Sequence, residues 1–259
     1  MQVMWWLQAL AQRNSGLFWF GILCLGGGLL CMYLAGTSTV QVNGISAWIK
    51  PMKFFLSIWI FCWTMGWLLH ELNQPVAVRS YSIMVVIVMS IELGIITWQA
   101  ANGRLSHFNT STVLYSSLFT IMGIAISLLT VWTFIIGLKF WGPPVADLPA
   151  GYLWGIRLGI IFFVIFSFEG GMMGARLAHT VGAADGGACI PVLNWSKAHG
   201  DLRIAHFFGI HALQLLPLAG YFITRTTTSS ILFSMIYFVL VSYLLLRALR
   251  GLPLPKFSS

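Results

Sequence analysis

Three ionisable residues, Glu92, Glu169 and His211, lie well inside long apolar stretches of the sequence. Each is about eight or nine residues from the same end of its predicted membrane span, or roughly 12–14 Å below that surface at the rise of a helix. An isolated charge at such depth costs at least about 2.5 kcal/mol, so buried groups of this kind are paired, neutral, metal-bound or hydrated. We therefore predict that the three side chains converge in one layer and form an internal catalytic site.

Metal binding is the first chemistry that this layer predicts. Two carboxylates and one imidazole suit a transition metal such as Zn or Fe. Glu92, Glu169 and His211 would supply three ligands and leave a position open for water, oxygen or substrate, as catalytic metal sites do. The sequence thus favours a bound metal that serves a membrane-embedded redox or hydrolytic reaction. His206 is about 140° around the helix from His211, so both histidines do not easily reach one ion.

Haem b is a second candidate cofactor, because two histidines from different helices can hold its iron and basic side chains can bind its propionates. His206 paired with His179 is the easiest ligand pair, close to the membrane surface. The residues that we expect to bind such a cofactor all fall on one side of the membrane: His107, His179, His206, Arg104 and Arg203.

Two further functions use the same residues without a cofactor. Chains of intramembrane Glu and His mark proton pathways in pumps and transporters, so the protein is alternatively a proton-coupled small-molecule transporter. The polar layer also suits an accessory or structural subunit of a larger membrane complex, in which protonated carboxyls bond neighbouring helices. Membrane lipids are the expected surroundings, with a homo-oligomer or membrane-protein partners as further predictions.

Composition and periodicity place these residues in an all-α membrane protein. The chain has 259 residues, of which 58% are hydrophobic and 8% charged, against about 25% charged in soluble domains. Apolar runs of about 20 residues recur, which is the length of a membrane-spanning helix. The net charge of +8 comes from basic residues near span ends, so it does not indicate nucleic-acid binding. The sequence predicts a seven-transmembrane-helix bundle, with spans at residues 17–36, 51–70, 80–101, 111–138, 151–178, 203–222 and 229–249.

The chain divides into an interfacial N-terminal segment (1–16), a single seven-helix transmembrane domain (17–250) and a C-terminal tail (251–259). Within the domain, Gly151, Gly155 and Gly159 repeat every four residues, which favours close helix packing. Pro217 is expected to kink the sixth span. Asp201 and Asn109 are expected to cap the helices that follow them.

The polar residues gather on one side of the membrane, which we call side B. Side B holds the loops 37–50, 102–110 and 179–202 and the C-terminus. It carries nine basic residues against five on the other side, which predicts that side B is cytoplasmic. Glu92 and Gln99 are seven residues apart and so share a helix face, as do Glu169 and Arg176. We infer a polar cavity that opens on side B and ends at the Glu92, Glu169 and His211 layer.

Three segments, KPMKFFLSIWIF, QAANGRLSHFN and GDLRIAHFFGIHALQLLP, resemble those of uncharacterised bacterial polytopic integral-membrane proteins. The resemblance covers most of the chain from Lys50 to Phe222. It implies a bacterial inner membrane and carries no assigned activity.

Overall fold

The computed structural model describes residues 2–143 and 148–255. These residues form two compact units: the first comprises residues 2–132, and the second comprises residues 133–143 and 148–255. The division falls within one helix, α5. Of the predicted C-terminal tail, residues 256–259 lie outside the described residues, as does Met1 of the predicted interfacial segment.

The first unit is built from helices that follow one another closely along the chain. They are α1 (Gln2–Arg13), α2 (Ser15–Thr37), α3 (Ile49–His70), α4 (Pro75–Ala101) and the first part of α5 (Val113–Leu138). A short antiparallel hairpin, β1 (Gln41–Val42) with β2 (Ile45–Ser46), connects α2 to α3. Its turn is Asn43-Gly44, and both residues have positive φ (51° and 74°), as the tight hairpin turn requires.

Local sequence signals set the helix ends of the first unit. The Asn14 side chain accepts a hydrogen bond from the Leu17 N–H (3.1 Å) and so caps α2. Pro75 begins α4, where its missing N–H costs nothing. Arg13 pairs with Glu71 and lies 4.0 Å from the centre of the Trp67 ring, which ties the end of α1 to the end of α3.

The second unit contains the end of α5 and the remaining elements. A 3-10 turn (Lys139–Trp141) leads to α6 (Ala150–Arg176), and two short strands, β3 (Thr180–Val181) and β4 (Gly200–Asp201), pair antiparallel. The rest are α7 (Leu202–Ile210), α8 (Ala212–Ala219), a π-helical turn (Gly220–Thr224) and α9 (Thr227–Leu249). Its core is largely aromatic and aliphatic, made by Phe162, Phe166, Ala205, Ala212, Leu216 and Val241.

Glycines bring the α6 backbone directly against α8 and the π-helical turn that follows it. A Cβ added at Gly155 would lie 2.4 Å from the Leu216 carbonyl oxygen, and one at Gly151 would lie 2.6 Å from the Gly220 carbonyl oxygen. Any side chain there would collide with backbone, so the predicted packing role of the glycine repeat is confirmed.

The predicted fold class is confirmed: the chain is an all-α integral membrane protein. Within residues 2–143 and 148–255, six helical segments are long and apolar enough to span a membrane. A seventh span forms if α7 and the segment Ala212–Thr224 cross together, with a bend of 43° between them. The continuous spans are Ser15–Thr37, Ile49–His70, Pro75–Ala101, Val113–Trp141, Ala150–Arg176 and Thr227–Leu249.

The bend between α7 and the segment Ala212–Thr224, which together correspond to the predicted sixth span, lies at His211. The sequence predicted a kink at Pro217. The His211 carbonyl accepts hydrogen bonds from the N–H groups of both Gln214 and Leu215 (each 3.0 Å), which tightens the turn. Pro217 itself continues α8. A proline crowds the carbonyl four residues before it, so the distortion falls in the turns that precede it.

Candidate functional site

The second unit pairs a buried carboxyl with a histidine from the neighbouring helix. His206 Nδ1, on α7, lies 2.7 Å from the carbonyl oxygen of Phe166 and 3.4 Å from Glu169 Oε2, both on α6. A carbonyl oxygen only accepts, so Nδ1 carries a proton in this arrangement and donates it to Phe166. The partner of His206 is thus a backbone carbonyl within a helix.

Glu169 is buried without the hydrogen bonds that a carboxylate needs. Its side chain is 4% exposed, and neither of its oxygens has a hydrogen-bond partner among the described residues. Buried polar groups are nearly always hydrogen-bonded, so one that is not calls for a functional or chemical explanation. The imidazole of His206 is the ionisable group that stands beside it.

His211 lies at the junction of α7 and α8, where the two half-helices bend by 43° relative to one another. Its Nδ1 is 3.1 Å from the side-chain oxygen of Gln214, and its ring packs edge-on against Phe207 at 4.4 Å between ring centres. His211 therefore has a local amide partner within its own bent helix.

The long loop of the second unit is closed by Asp185. Its carboxylate accepts hydrogen bonds from the backbone N–H groups of His179 (3.1 Å) and Thr180 (2.8 Å), and lies 2.6 Å from His179 Nδ1. Burial alone would raise the pKa of Asp185, but the hydrogen bonds and charge of His179, with the bond from Thr180, outweigh it. The pKa of Asp185 is therefore well below its ordinary value.

Asp201 and Arg203 hold the other end of that loop. The buried Asp201 carboxylate accepts from the Arg203 N–H (3.1 Å), so Asp201 caps α7 as predicted. It also accepts from Arg203 Nε (2.8 Å) and Nη2 (2.6 Å) and from the Ser196 N–H (2.8 Å). Arg203 further donates to the Asn194 carbonyl. These bonds give Arg203 a structural role in the loop, and its predicted cofactor contact stays a prediction.

Glu92 belongs to the first unit, on α4. It is 4% exposed, and its Oε1 has no hydrogen-bond partner in the part of the chain that the structure describes. The charge of Lys50, in the first turn of α3, acts on this carboxyl. Gln99, seven residues further along α4, is fully buried (0% exposed), as expected for two residues on one helix face.

The loop after α4 folds back onto Gln99. The Gln99 side chain donates to the Ser106 carbonyl (3.4 Å) and accepts from Asn109 Nδ2 (3.2 Å). Asn109 Oδ1 accepts from Ser111, while the side chain of Thr112 accepts from the Tyr115 N–H at the start of α5. Sequence reasoning gave the capping role to Asn109, but its carboxamide is already engaged within the loop.

The remaining predicted cofactor residues lie in that same loop. His107 Nδ1 is 3.1 Å from Ser106 Oγ, and its ring packs 5.4 Å from Phe54 between ring centres. Arg104 is exposed. His107 and Arg104 thus belong to the first unit, and His179, His206 and Arg203 to the second.

Metal ligation finds no support in these positions. No three His, Cys, Asp or Glu side chains within residues 2–143 and 148–255 are arranged so that they could hold a metal ion. Glu92 lies in the first unit and Glu169 and His211 in the second, and the convergence of the three in one layer stays a prediction.

Sequence reasoning missed two relationships. It paired Glu169 with His211 by depth, whereas the structure brings His206 to Glu169. It also gave no role to Asp185 beyond its side of the membrane, although its place six residues after His179 in a glycine-rich loop is a signal for a closed turn.

Compared with known proteins, the chain matches no family model, no curated protein and no solved structure.

Proposed function

We propose that this integral membrane protein is a proton-coupled small-molecule transporter whose proton site is the Glu169–His206 pair. The observation that carries the proposal is the Glu169 carboxyl, buried in a membrane span without a hydrogen bond to any described residue and 3.4 Å from an imidazole nitrogen. Intramembrane Glu and His residues that face one another are the usual parts of proton pathways.

The pair can hold one proton on either residue without carrying a net charge. With Glu169 protonated, the carboxyl and a neutral imidazole lie side by side. With a proton on His206 instead, the imidazolium and the carboxylate form an ion pair, and Nδ1–H still bonds the Phe166 carbonyl. Loss of that proton leaves a lone buried carboxylate, which is costly in a membrane. Proton binding therefore changes the electrostatic free energy of the α6–α7 contact.

The bent span offers a way for this change to reach a transported molecule. His206 is on α7, and α8 is fixed to α6 by backbone contacts at Gly155. The 43° bend lies between the two half-helices. Broken helices of this kind form substrate and ion sites in secondary transporters. A change at Glu169 and His206 would thus act on one half-helix while the other stays in place.

Proton binding is tested by infrared difference spectroscopy of the purified protein, titrated with pH. We expect a carboxylic-acid band that disappears on deprotonation and is absent in Glu169→Gln. His206→Gln should change the pH at which that band is lost, because the imidazole is the neighbouring charge. If Glu169→Gln leaves every carboxyl band in place, the proposal is wrong.

Transport is tested in proteoliposomes that contain a pH-sensitive dye. Small solutes of differing charge are added outside, and we expect one class to produce a proton flux that Glu169→Gln abolishes. Arg13→Gln serves as a control, because Arg13 pairs with Glu71 in the first unit. Solute uptake with no change in internal pH would contradict proton coupling.

Haem binding through His206 is the second candidate, favoured by one observation. Histidine ligands commonly donate Nδ1–H to a backbone carbonyl and bind iron through Nε2, and His206 donates to Phe166 in this way. Protein produced with ample haem precursor should then show a visible absorption band that His206→Ala removes. If the protein is colourless and still transports solute fully, haem binding is excluded and the proton site remains as the proposed function.

We also propose the bacterial inner membrane, with the loops 37–50, 102–110 and 179–202 in the cytoplasm. A cysteine at Gly187, in a Cys189→Ser background, reports the side of the last loop. In intact cells an impermeant thiol reagent should leave it unlabelled, and labelling there would reverse the orientation.

A further inference from the structure

We infer that Glu92 is a second proton-binding carboxyl, separate from the Glu169–His206 pair, with Lys50 as its countercharge. Both residues of this site belong to the first unit. Its use in transport, where it would raise the number of protons moved per cycle, rests on the proposed function.

Glu92 is buried, and one of its carboxyl oxygens lacks a hydrogen bond from the described residues. Glu92 lies in the C-terminal half of α4 and is 4% exposed, and no described group donates a hydrogen bond to its Oε1. Gln99, on the same face, is satisfied by Ser106 and Asn109. On this helix face, Gln99 near the helix end thus has its hydrogen bonds, whereas Glu92 Oε1 has none from the described residues.

The charged groups of the neighbouring helices leave Lys50 as the cation for this carboxyl. α4 packs against α2 and α3. The sequence of α2 contains no Asp, Glu, Lys, Arg or His. α3 carries Lys50 and Lys53 in its first turns and His70 at its far end, and α4 itself carries Arg79 in its first turns. His70 ends α3 and Arg79 is near the start of α4, so both lie at the turn that joins the two helices, whereas Glu92 lies in the other half of α4. The cations on the side of Glu92 are therefore Lys50 and Lys53, and Lys50 is the one that interacts electrostatically with the carboxyl.

The chemistry is an exchange between a neutral Glu92 carboxyl and a Glu92 carboxylate that is paired with the Lys50 cation. A protonated Glu92 needs no countercharge and is the cheaper form in an apolar environment. An ionised Glu92 is compensated by Lys50, whose position in the first turn of α3 keeps it within reach of the membrane surface. The carboxyl can therefore take up or release a proton while the cation supplies the balancing charge.

A hydrophobic carbodiimide tests this inference directly, because it adds covalently to protonated carboxyls in apolar surroundings and spares paired carboxylates. The chain has three Glu residues, Glu71, Glu92 and Glu169. We expect labelled peptides that contain Glu92 and Glu169, located by mass spectrometry. Glu71, which pairs with Arg13, is the internal control and should stay unlabelled.

Variants separate the two sites. Glu169→Gln should remove one label and leave Glu92 labelled to the same extent, and Glu92→Gln should do the reverse. Lys50→Met should keep Glu92 reactive at a pH where the wild-type carboxyl no longer reacts, while Glu169 labelling stays unchanged.

Each failure has its own meaning. Labelling at Glu169 without Glu92 overturns this inference and leaves the proposed function intact. Labelling at Glu92 without Glu169 keeps the second site and contradicts the proposed first one. If Lys50→Met leaves the pH dependence at Glu92 unchanged, Lys50 is not the countercharge and the inference is wrong as stated.

Discussion

Gly170 lies directly against the imidazole ring of His206. A Cβ added at Gly170 would stand 2.7 Å from His206 Cε1 and 3.0 Å from Nδ1. The ring could tolerate such a methyl group only by shifting, because contacts under 3.0 Å are repulsive. The absence of a side chain at Gly170 thus leaves room for the imidazole beside the preceding residue of α6, Glu169.

Gly170→Ala should disturb the proton site without removing an ionisable group. We expect it to shift the ring away from the Phe166 carbonyl and from Glu169, and to change the pH dependence of the Glu169 infrared band. Gly171→Ala is the matched control, since no described atom lies within 4 Å of a Cβ there. Equal spectra for the two variants would mean that the ring position does not matter.

Gly155→Ala should destabilise the second unit through backbone contact with α8. The added Cβ would lie 2.4 Å from the Leu216 carbonyl oxygen, and backbone moves less readily than a side chain. We expect a loss of about 1–3 kcal/mol, as for other overpacked positions, measured as a lower thermal transition in detergent. Gly94→Ala, where a Cβ meets no described atom within 4 Å, should be neutral or stabilising.

Apolar length allowed the spans to be predicted well. Predicted spans such as 17–36 and 229–249 correspond to Ser15–Thr37 and Thr227–Leu249, because the bilayer sets the length of an apolar helix. Helical periodicity likewise predicted that Glu92 and Gln99 would share a buried face. These are properties of single segments, which the sequence carries locally.

Contacts between helices were predicted less well. Counting residues from a span end gives the depth of a side chain but not the helix that its side chain faces, so it did not predict the contact between Glu169 and His206. The break at His211 and the crossing of α6 with α7 decide which side chains meet, and both depend on packing between distant segments. The close approach at Gly155 was predictable, because small residues at that spacing carry packing information in the sequence itself.

Asp185→Asn should loosen the loop between α6 and α7. The ionised carboxylate accepts from the N–H groups of His179 and Thr180, and bonds to a charged acceptor contribute on the order of 2 kcal/mol. Hydrogen exchange at these two amides should therefore be faster in the variant at neutral pH. Gly187→Ala, in the same loop and with no described atom within 4 Å of the added Cβ, should leave exchange unchanged.

Lowering the pH should remove the stabilisation that the ionised Asp185 gives to this loop. The pKa of Asp185 is lower in the folded protein than in the unfolded chain, where it is about 3.9. The stabilisation is thus fully present above that value and decreases as the pH falls through it towards the folded pKa. The difference in amide exchange between wild type and Asp185→Asn should shrink over this range. A difference that grows on acidification would contradict the assigned direction.

Gln99→Leu should destabilise the first unit, because it leaves two partners without their hydrogen bonds. Gln99 is fully buried, accepts from Asn109 Nδ2 and donates to the Ser106 carbonyl. Each buried polar group that loses its hydrogen bond costs about 1–3 kcal/mol. We therefore expect a clear fall in thermal stability and faster protease cleavage within the loop 102–110. Asn102→Ala is the control, since Asn102 is exposed and bonds only locally, to the Trp98 carbonyl. If both variants unfold at the same temperature as the wild type, the Gln99 contacts do not stabilise this loop.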